Sequence, residues 1–558
     1  MAKKQKLELT WIGKEERPRL EPRILLEDPE LSYHASQRVS SNDIFDNRLI
    51  FGDNLLALKA LEHEFTGKVK CIYIDPPYNT GSAFAHYDDG VEHSLWLSLM
   101  RDRLELLRRL LRDDGSIWIT LDDNEAHYFK VMADECFGRQ HYIGSIVWKK
   151  NDSSKPSARH LSVDHDYILV YAKNAESWKP NLLPRSDEQN AIYTNRDNDP
   201  RGPWLGGDLS ARNKYSLGIY PITAPSGRVI PGPANGRYWA ISNAKLKELD
   251  ADGRIWWGKD GNNVPQIKRF LSEVQQGIVA GTWWDNKGAG STRESKKEAV
   301  SLSGNDAFAT PKPERLIKRV LEVASKPGDL VLDSFAGSGT TGAVAHKMRR
   351  RWIMVELGEH AKTHIVPRLR KVIDGTDQGG VTEAVDWKGG GGFRYLKLAA
   401  SLLQKDAWGN LVVNKEYNAA MLAEAVCKLE GFTYRPSETN YWQHGYSTER
   451  DFIYVTTQKL TREQLQSLSE EVGDHRSLLV CCAAFRTKAD AFANLTIKKI
   501  PNAVLSRCEW GHDDYSLQIN NLPAAPEFVP DAELPPGRRK PKKNTENNLP
   551  LFGNGVSK

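Results

Sequence analysis

The sequence predicts an α/β protein whose sheet is largely parallel, interrupted by an insertion and followed by a C-terminal mixed α/β region. Two observations carry this prediction. Residues 43–175 alternate short apolar strands with amphipathic helices, as in strand–helix–strand units. A second strand, glycine turn and helix then appear in "DLVLDSFAGSGTTGAVAHKM", after a stretch rich in Gly, Pro, Trp and Arg.

The first half of the sheet is predicted from four segments. "NRLIFGDNLLALKALEHEF" gives a short strand, a turn and a helix with apolar residues at helical spacing. "VKCIYID" is a near-continuous apolar run, which is typical of a strand buried in a parallel sheet. "SLWLSLMRDRLELLRRLL" has the periodicity of an amphipathic helix, and "GSIWITL" and "SIVW" predict further strands.

Changes of composition along the chain predict six segments. "KPERLIKRVLEVA" marks the return to helical periodicity after the insertion, and "PPGRRKPKKNTENN" indicates a flexible basic tail. The predicted segments are an arm at 1–42, a first half of the sheet at 43–175, an insertion at 176–305, a second half of the sheet at 306–394, a C-terminal domain at 395–530 and a tail at 531–558.

The overall composition is that of an ordinary globular protein. The 558 residues are 40% hydrophobic and 27% charged, with a net charge of +5, which by itself is weak support for a nucleic-acid partner. The six cysteines form no CxxC pair, so neither a disulfide framework nor a metal site is predicted. Apolar runs are too short to span a bilayer and the first residues are charged, so we expect a cytoplasmic protein.

The stretch "CIYIDPPYNTG" places an acid, two prolines and an aromatic where a buried strand ends. Pro76 and Pro77 stop sheet pairing and stiffen the backbone. Asp75 and Tyr78 are therefore held at the carboxyl edge of the sheet, where open α/β sheets bind ligands. Taken alone, Asp75 is also compatible with a turn and Tyr78 with core packing.

A second motif, "GSGTTG", follows an apolar strand and opens a helix, and Glu356 closes the next strand. This is the setting of a nucleoside-cofactor site, in which glycines admit a ligand close to the backbone and the acid holds ribose hydroxyls. The pattern fits NAD as well as S-adenosylmethionine. "GRIWWGKD" matches part of an ATP-binding loop, but it lacks the final Ser or Thr and the strand-to-helix setting, and we reject it.

"DPPY" followed much later by "FAGSGTT" resembles the amino-methylating DNA methyltransferases, and the order of the motifs resembles their β class, whose Rossmann-like fold is circularly permuted. "FGDNL", "FATPKPERLI" and "GGGFRYLKL" are similar to segments of the modification subunits of type III restriction systems and their stand-alone relatives. The resemblance covers roughly 43–400. It implies S-adenosylmethionine as methyl donor and a target-recognition domain in the insertion.

The resemblance also implies a mechanism that the residue types suit. An exocyclic amino group is a poor nucleophile because its lone pair is delocalised into the base. The Asp75 carboxylate and the Pro76 carbonyl would accept its two hydrogens and free that lone pair, while Tyr78 stacks on the base. The base must leave the duplex, which costs a few kcal/mol, and stacking on an aromatic side chain offsets about 1–3 kcal/mol of that cost.

The resemblance assigns further residues to the cofactor, some with a second interpretation. Asp53, beside Asn54, would contact the adenine or cap a helix. Phe335 would line the pocket or fill the core, Glu356 would hold the ribose, and Lys312 would border the methionine end or be solvated. Asp333 would support the turn. The remaining predicted cofactor-binding residues are Ala336, Gly337, Gly339, Thr340 and Thr341, with Asp75 bordering the same site.

The predicted function is site-specific methylation of the adenine N6 amino group in double-stranded DNA. N4-cytosine methylation is the nearest alternative, and Asp rather than Ser before Pro-Pro-Tyr favours adenine by family resemblance. A NAD-dependent oxidoreductase leaves DPPY unexplained, and a catalytically dead DNA-binding module leaves its intact motif unexplained. The family implies a homodimer or higher homo-oligomer and a possible restriction subunit.

Basic and aromatic residues of the insertion are candidates for DNA contacts, either to base edges or to phosphates. Four tryptophans of the same region, Trp256, Trp257, Trp283 and Trp284, are expected to pack in a core. The candidates for DNA contacts are Arg201, Trp204, Arg212, Arg228, Arg237, Arg254 and Lys259.

Overall fold

The computed structural model describes a large α/β body, an inserted β-rich body and a C-terminal α/β body. The described residues are 8–78, 89–275, 277–304, 308, 310–500, 504 and 506–515. The predicted tail at 531–558 lies outside them. Within the described part of the chain, no helix combines the length and apolarity that crossing a membrane requires.

The first part of the α/β body contains seven strands and three helices. The strands are β1 Leu25–Glu27, β2 Tyr33–His34, β3 Asn47–Phe51, β4 Val69–Ile74, β5 Leu111–Leu121, β6 Tyr142–Lys149 and β7 His165–Ala172. The helices are α1 Asn54–Phe65, α2 Asp89–Leu110 and α3 Ala126–Phe137.

The inserted body follows with short strands and two helices. The strands are β8 Trp204–Asp208, β9 Ser210–Ala211, β10 Ile222–Thr223, β11 Val229–Ile230, β12 Tyr238–Trp239, β13 Ile255–Trp256 and β14 Gln266–Phe270. The helices are α4 Asp187–Ala191 and α5 Asn243–Ala251. Leu209, Trp239, Ile255 and Trp257 contribute to a small core of its own.

The chain then returns to the α/β body. The strands are β15 Trp283–Trp284, β16 Leu330–Asp333, β17 Arg351–Glu356 and β18 Gly392–Leu398. The helices are α6 Asn286–Ala289, α7 Thr292–Ser303, α8 Glu314–Ala324, α9 Thr340–Lys347 and α10 Val366–Ile373, the last preceded by a π-helical turn at Ala361–Ile365.

One eleven-stranded sheet organises the α/β body, in the order β1-β18-β3-β17-β16-β4-β5-β7-β6-β15, with β2 paired to β18. The central strands β3, β17, β16, β4 and β5 are parallel. Strand β7 runs antiparallel to both β5 and β6. The predicted α/β class with a largely parallel sheet is confirmed.

Alternate residues of the central strands face two different cores. Ile72 and Ile74 of β4 belong to a core that includes residues of α1, α2 and α3, and Cys71 and Tyr73 belong to a second core that includes residues of α8, α9 and α10. Because both faces are covered, the strands are apolar along nearly their whole length. This is the physical reason for the near-continuous apolar runs in the sequence.

The boundaries of the predicted segments do not coincide with the boundaries of the bodies in the structure. The predicted arm contributes β1 and β2, which pair with β18, so part of it belongs to the sheet. The predicted insertion, 176–305, includes β15, which pairs with β6. The backbones of Leu183 and Ile278 exchange hydrogen bonds of 2.8 and 2.9 Å, and this bridge brings the two ends of the inserted body together. The segment boundaries stay a prediction.

The C-terminal body has a sheet of five strands, in the order β21-β22-β23-β25-β27, and two helices that contribute to separate cores. Its strands are β19 Leu403–Lys405, β20 Leu411–Val413, β21 Thr433–Tyr434, β22 Gly445–Tyr446, β23 Asp451–Val455, β24 Lys459–Leu460, β25 Ser477–Cys482, β26 Ala484–Phe485 and β27 Leu495–Lys499. Its helices are α11 Ala419–Glu430 and α12 Arg462–Val472.

A buried ion cluster holds three helices of the α/β body together. Glu314 begins α8, and its carboxylate lies 2.8 Å from both Lys347 of α9 and Arg368 of α10. Lys347 also lies 2.8 Å from Asp377. All four side chains are buried. A buried charge that loses its partner is costly, so this cluster ties the start of α8 to a fixed place on the sheet.

We expect Lys347→Met to lower the free energy of unfolding by about 3–5 kcal/mol, because the buried Glu314 would keep Arg368 as a cation but the buried Asp377 would lose Lys347. Urea unfolding followed by tryptophan fluorescence measures the loss. Lys296→Met, at an exposed position of α7, is the matched control and should change stability by less than about 0.5 kcal/mol. Equal effects of the two substitutions would contradict a structural role for the cluster.

Candidate functional site

The candidate site lies where β4 and β16 end side by side. Val331 pairs with Cys71 and Leu332 with Ile72 in a parallel ladder. Continuing this register by three residues puts Phe335 level with Asp75. The two motifs that are far apart in the sequence therefore emerge at the same carboxyl edge of the sheet, where ligands bind to open α/β folds.

Asp75 is held by a hydroxyl and a cation. The Tyr78 hydroxyl donates to one carboxylate oxygen at 2.9 Å, and Lys312 Nζ donates to the other at 2.5 Å. Lys312 Nζ also lies 5.1 Å from the centre of the Tyr78 ring. Burial, followed by the negative charges of Asp75 and Asp166, raises the pKa of Tyr78 well above its usual value, so the hydroxyl remains a donor at neutral pH.

The two prolines fix the turn between these side chains. Pro76 is buried and Pro77 is exposed. The Pro77 carbonyl accepts a hydrogen bond of 2.9 Å from the indole of Trp96, a fully buried residue of α2. The rigid turn and this bond give Tyr78 a fixed starting point, which is what a side chain that stacks on a base requires.

A second acid lies beside Tyr78 that the sequence analysis missed. Asp166 Oδ2 is 3.4 Å from the Tyr78 hydroxyl, and Asp166 Oδ1 is 2.6 Å from Lys150 Nζ. Asp166 is the second residue of β7, and because β7 is antiparallel to β5, its first residues lie at the edge where β4 ends. An acid at the start of an apolar strand was the available signal, but its use required knowing the direction of that strand.

The glycine turn joins β16 to α9. Gly337 and Gly339 have φ values of +53° and +74°, in the left-handed region that favours glycine. A Cβ at Gly339 would lie 2.8 Å from the Ile365 side chain. The Gly337 amide donates to Glu356 at 2.7 Å, and the Gly358 amide donates to the other oxygen of that carboxylate at 2.9 Å.

A cavity of about 410 Å³ lies between the two motifs. Most of the predicted site residues line it, together with Phe308 and Thr310, which the sequence analysis did not assign. The predicted residues that line the cavity are Asp75, Pro76, Pro77, Tyr78, Lys312, Asp333, Phe335, Ala336, Gly337, Thr340 and Thr341.

Four predicted cofactor residues are not among those that line the cavity: Asp53, Asn54, Gly339 and Glu356. Asp53 is buried and accepts hydrogen bonds from two backbone amides at the start of α1, so its contacts favour the helix-cap interpretation. The Asn54 amide donates to the Ser334 carbonyl at 2.7 Å, which ties α1 to the turn after β16. The assignment of Asp53 to adenine and of Glu356 to ribose stays a prediction.

Asp333, at the end of β16, lies beneath the turn. Its carboxylate accepts a hydrogen bond of 2.9 Å from the Phe335 amide, and burial raises its pKa to about 7. The negative charge of Asp75 contributes to this rise in the pKa of Asp333. A carboxyl that is partly neutral at pH 7 in turn limits the repulsion between Asp333 and Asp75 across the cavity.

The residues of the insertion that were candidates for DNA contacts fall into two groups. Arg212, Arg228 and Lys259 are exposed. Arg201, Arg237 and Arg254 are held by neighbouring carboxylates, and Trp204 is fully buried. Of the four tryptophans expected in a core, Trp257 and Trp284 are buried and Trp256 is partly buried. The expectation was wrong for Trp283, which is 64% exposed: adjacent side chains of β15 point to opposite faces of the sheet, and the buried face is the one that Trp284 occupies.

The cavity suits S-adenosylmethionine in size and in charge. Its volume is in the range of sites for small cofactors. The glycine turn presents backbone rather than side chains. Lys312 supplies a cation that suits a carboxylate, and Asp75 supplies an anion that suits an ammonium or sulfonium group.

Comparison with known proteins identifies the family. The model of the family described as DNA methylase matches residues 69–367, more than half of the chain, and the chain belongs to this family. The chain is 35% identical to the StyLTI Mod subunit of a type III restriction-modification enzyme from Salmonella typhimurium, over 54% of this chain and 50% of that protein. It is 31% identical to the type II methyltransferase M.EcaI from Enterobacter cloacae, over 59% of this chain and 70% of that protein.

A third relative is the probable HindVI Mod subunit of a type III restriction-modification enzyme from Haemophilus influenzae. The identity is 30%, over 65% of this chain and 55% of that protein. The chain thus spans about half the length of these two Mod subunits.

We expect Gly339→Ala to destabilise the protein by about 2–5 kcal/mol. The left-handed conformation costs an alanine about 1–2 kcal/mol, and the contact with Ile365 adds about 1–3 kcal/mol of overpacking. Gly328→Ala is the matched control, because its φ is +84° but an added Cβ would meet nothing within 4 Å. Urea unfolding of both variants separates the two costs, and equal losses would show that the contact with Ile365 is unimportant.

Proposed function

We propose that this protein is an S-adenosylmethionine-dependent DNA methyltransferase that acts on the exocyclic N6 amino group of adenine. The observation that carries the proposal is that Asp75 and the glycine turn line one cavity. Membership of the DNA methylase family supports the reaction class. Asp rather than Ser before Pro-Pro-Tyr supports adenine over cytosine, by the family resemblance.

The cofactor would be held by Lys312, Asp333, Phe335 and the backbone of the glycine turn. When bound, it supplies an electrophilic methyl group on a sulfonium. Lys312 suits the carboxylate of the methionine portion, since among the described residues it is the cation that lines the cavity. Occupying Lys312 with that carboxylate would weaken its 2.5 Å ion pair with Asp75.

The amino group of the base would be held by Asp75 and the Pro76 carbonyl. Both are acceptors, so both hydrogens of the amino group are directed away from the nitrogen lone pair. The lone pair is then localised on nitrogen and available for reaction. Asp75 is also a carboxylate placed to take the proton that the product amino group releases.

Tyr78 would stack on the flipped base. Its ring is partly exposed beside the cavity, and its hydroxyl is anchored, so the plane of the ring is restrained. Stacking of about 1–3 kcal/mol offsets much of the few kcal/mol that flipping costs.

The DNA partner would be read by the inserted body. Its separate core, its attachment through the Leu183–Ile278 bridge and its exposed Arg212, Arg228 and Lys259 support this assignment. A restriction subunit as partner is supported by the similarity to two Mod subunits of type III restriction-modification enzymes. A homodimer or higher homo-oligomer, in the cytoplasm, rests on the family resemblance alone.

We expect Asp75→Ala to reduce methylation of DNA at least about a hundredfold, because the main acceptor for the amino group is lost. Cofactor affinity, measured by isothermal titration calorimetry, should stay the same or increase, because Lys312 loses its carboxylate partner. Asp113→Ala is the control, since Asp113 is exposed near the start of β5, at the opposite edge of the sheet. Equal loss of turnover and cofactor binding would contradict the role given to Asp75.

We expect a chain in which 184–277 is replaced by a short Gly-Ser linker to bind the cofactor as the full chain does and to lose sequence-specific DNA binding. The linker is feasible because the backbones of Leu183 and Ile278 are already hydrogen-bonded. Calorimetry and electrophoretic mobility shifts with target and scrambled DNA measure the two properties. Retained specificity would place recognition elsewhere, for example in the C-terminal body.

A further inference from the structure

Two carboxylates compete for the hydroxyl of Tyr78. The hydroxyl oxygen lies 2.9 Å from Asp75 Oδ1 and 3.4 Å from Asp166 Oδ2. It carries a single proton and donates to one acceptor at a time. The shorter distance assigns the proton to Asp75 in this structure, and Asp166 is the acceptor on the other side.

Asp75 accepts a hydrogen bond on each of its two oxygens. A hydroxyl and an ammonium group both donate to it. Each of these bonds withdraws electron density from the carboxylate that must accept a hydrogen from the base. If the Tyr78 hydroxyl stayed on Asp75, the interaction with the amino group would be weaker than that of a free carboxylate.

The structure supplies an alternative acceptor that is already in place. Asp166 is 2% exposed, and its other oxygen is bonded to Lys150 Nζ at 2.6 Å. Burial raises the pKa of Asp166, and the positive charges of Lys150 and Lys312 oppose that rise. The Lys150 ion pair thus favours the charged, acceptor form of a carboxylate that burial alone would make neutral.

We propose that Asp166, held by Lys150, is a positioning residue that takes over the Tyr78 hydroxyl when the amino group of the base binds to Asp75. The inference rests on the proposed function and deepens it, because it explains how an occupied Asp75 becomes available. Tyr78 rotates its hydroxyl from one carboxylate to the other while its ring keeps its place. No bond other than hydrogen bonds forms or breaks in this exchange.

If the exchange occurs, removing the Tyr78 hydroxyl should rescue the loss of methylation rate that is caused by removing the Asp166 carboxylate. In Asp166→Asn the hydroxyl has no charged alternative and stays on Asp75, so the single-turnover methylation rate should fall about tenfold. In Tyr78→Phe the ring still stacks and Asp75 keeps only the bond from Lys312, so the rate should fall no more than about threefold. The double variant should match Tyr78→Phe within about twofold.

Single-turnover methylation at saturating cofactor and DNA measures these rates. Asp164→Asn is the matched control, since Asp164 is a nearby acid that bonds to Ser154 and Ser162, and it should leave the rate unchanged. A merely structural role of Asp166 would lower the rate equally with Tyr or Phe at position 78, and that result would overturn the inference.

Lys150→Met provides a second variant if Asp166→Asn does not fold. The groups that face Asp166 are Lys150, Lys312, Asp75 and Tyr78. Without Lys150 the pKa of Asp166 rises further, so the acid is neutral and a poor acceptor at low pH. The methylation defect of the Lys150→Met variant should therefore become smaller as the pH rises through the pKa of Asp166. A defect independent of pH would count against the exchange.

A measurement without DNA separates this inference from the proposed function. Thermal unfolding gives the coupling between Tyr78→Phe and Asp166→Asn, first with Asp75 present and then in the Asp75→Ala background. With Asp75 present, we expect the coupling to correspond to less than about a twofold change in the unfolding equilibrium constant. In the Asp75→Ala background we expect about a tenfold change, because the Tyr78 hydroxyl then donates to Asp166. Equal coupling in both backgrounds would refute the exchange even if methylation is observed. Absent methylation with increased coupling would refute only the proposed function.

Discussion

The site depends on the parallel pairing of β4 with β16. These strands are separated by the inserted body and several helices in the sequence, yet they lie side by side in the centre of the sheet. A shift of their register by one residue would turn Asp75 or Phe335 to the opposite face, because side chains alternate along a strand. The cores on both faces hold the register, since each strand contributes buried residues to each core.

The charges at the sheet edge form an ordered row. Lys312, Asp75, Tyr78, Asp166 and Lys150 follow one another, each within hydrogen-bond or close contact of the next. Three different parts of the chain supply them: the turn after β4, the β6–β7 pair and the segment before α8. The buried cluster of Glu314, Lys347, Arg368 and Asp377 fixes the last of these, because Glu314 follows Lys312 by only two residues.

Much of the fold and part of the site could be predicted from the sequence. Strong periodicity revealed α1, α2 and α8, and continuous apolar runs revealed β4 and β16. Asp75, Tyr78 and the glycine turn were found because each belongs to a compact local motif. Asp166 and Lys150 were missed because their place follows from the direction of β7, a property of the whole sheet that no local pattern reveals.

The dependence of a residue's surroundings on non-local structure also explains the other differences between the predictions and the structure. Asp53 precedes a helix, so the sequence allowed both a cap and a ligand contact, and the bonds to the amides of α1 favour the cap. Trp283 was expected in a core because tryptophan is usually buried, but it points to the opposite face of β15 from the buried Trp284. The start of the chain was predicted to be an arm because it is charged and contains several prolines, and the pairing of β1 and β2 with β18 is non-local.

The most direct test of the central claim is long-read sequencing of genomic DNA from a methylation-free host that expresses this chain, beside the same host with Asp75→Ala. The account predicts N6-methyladenine at one recurring sequence with the unaltered chain, and its absence with the variant. Modification that persists in the variant, or N4-methylcytosine in place of methyladenine, would contradict it.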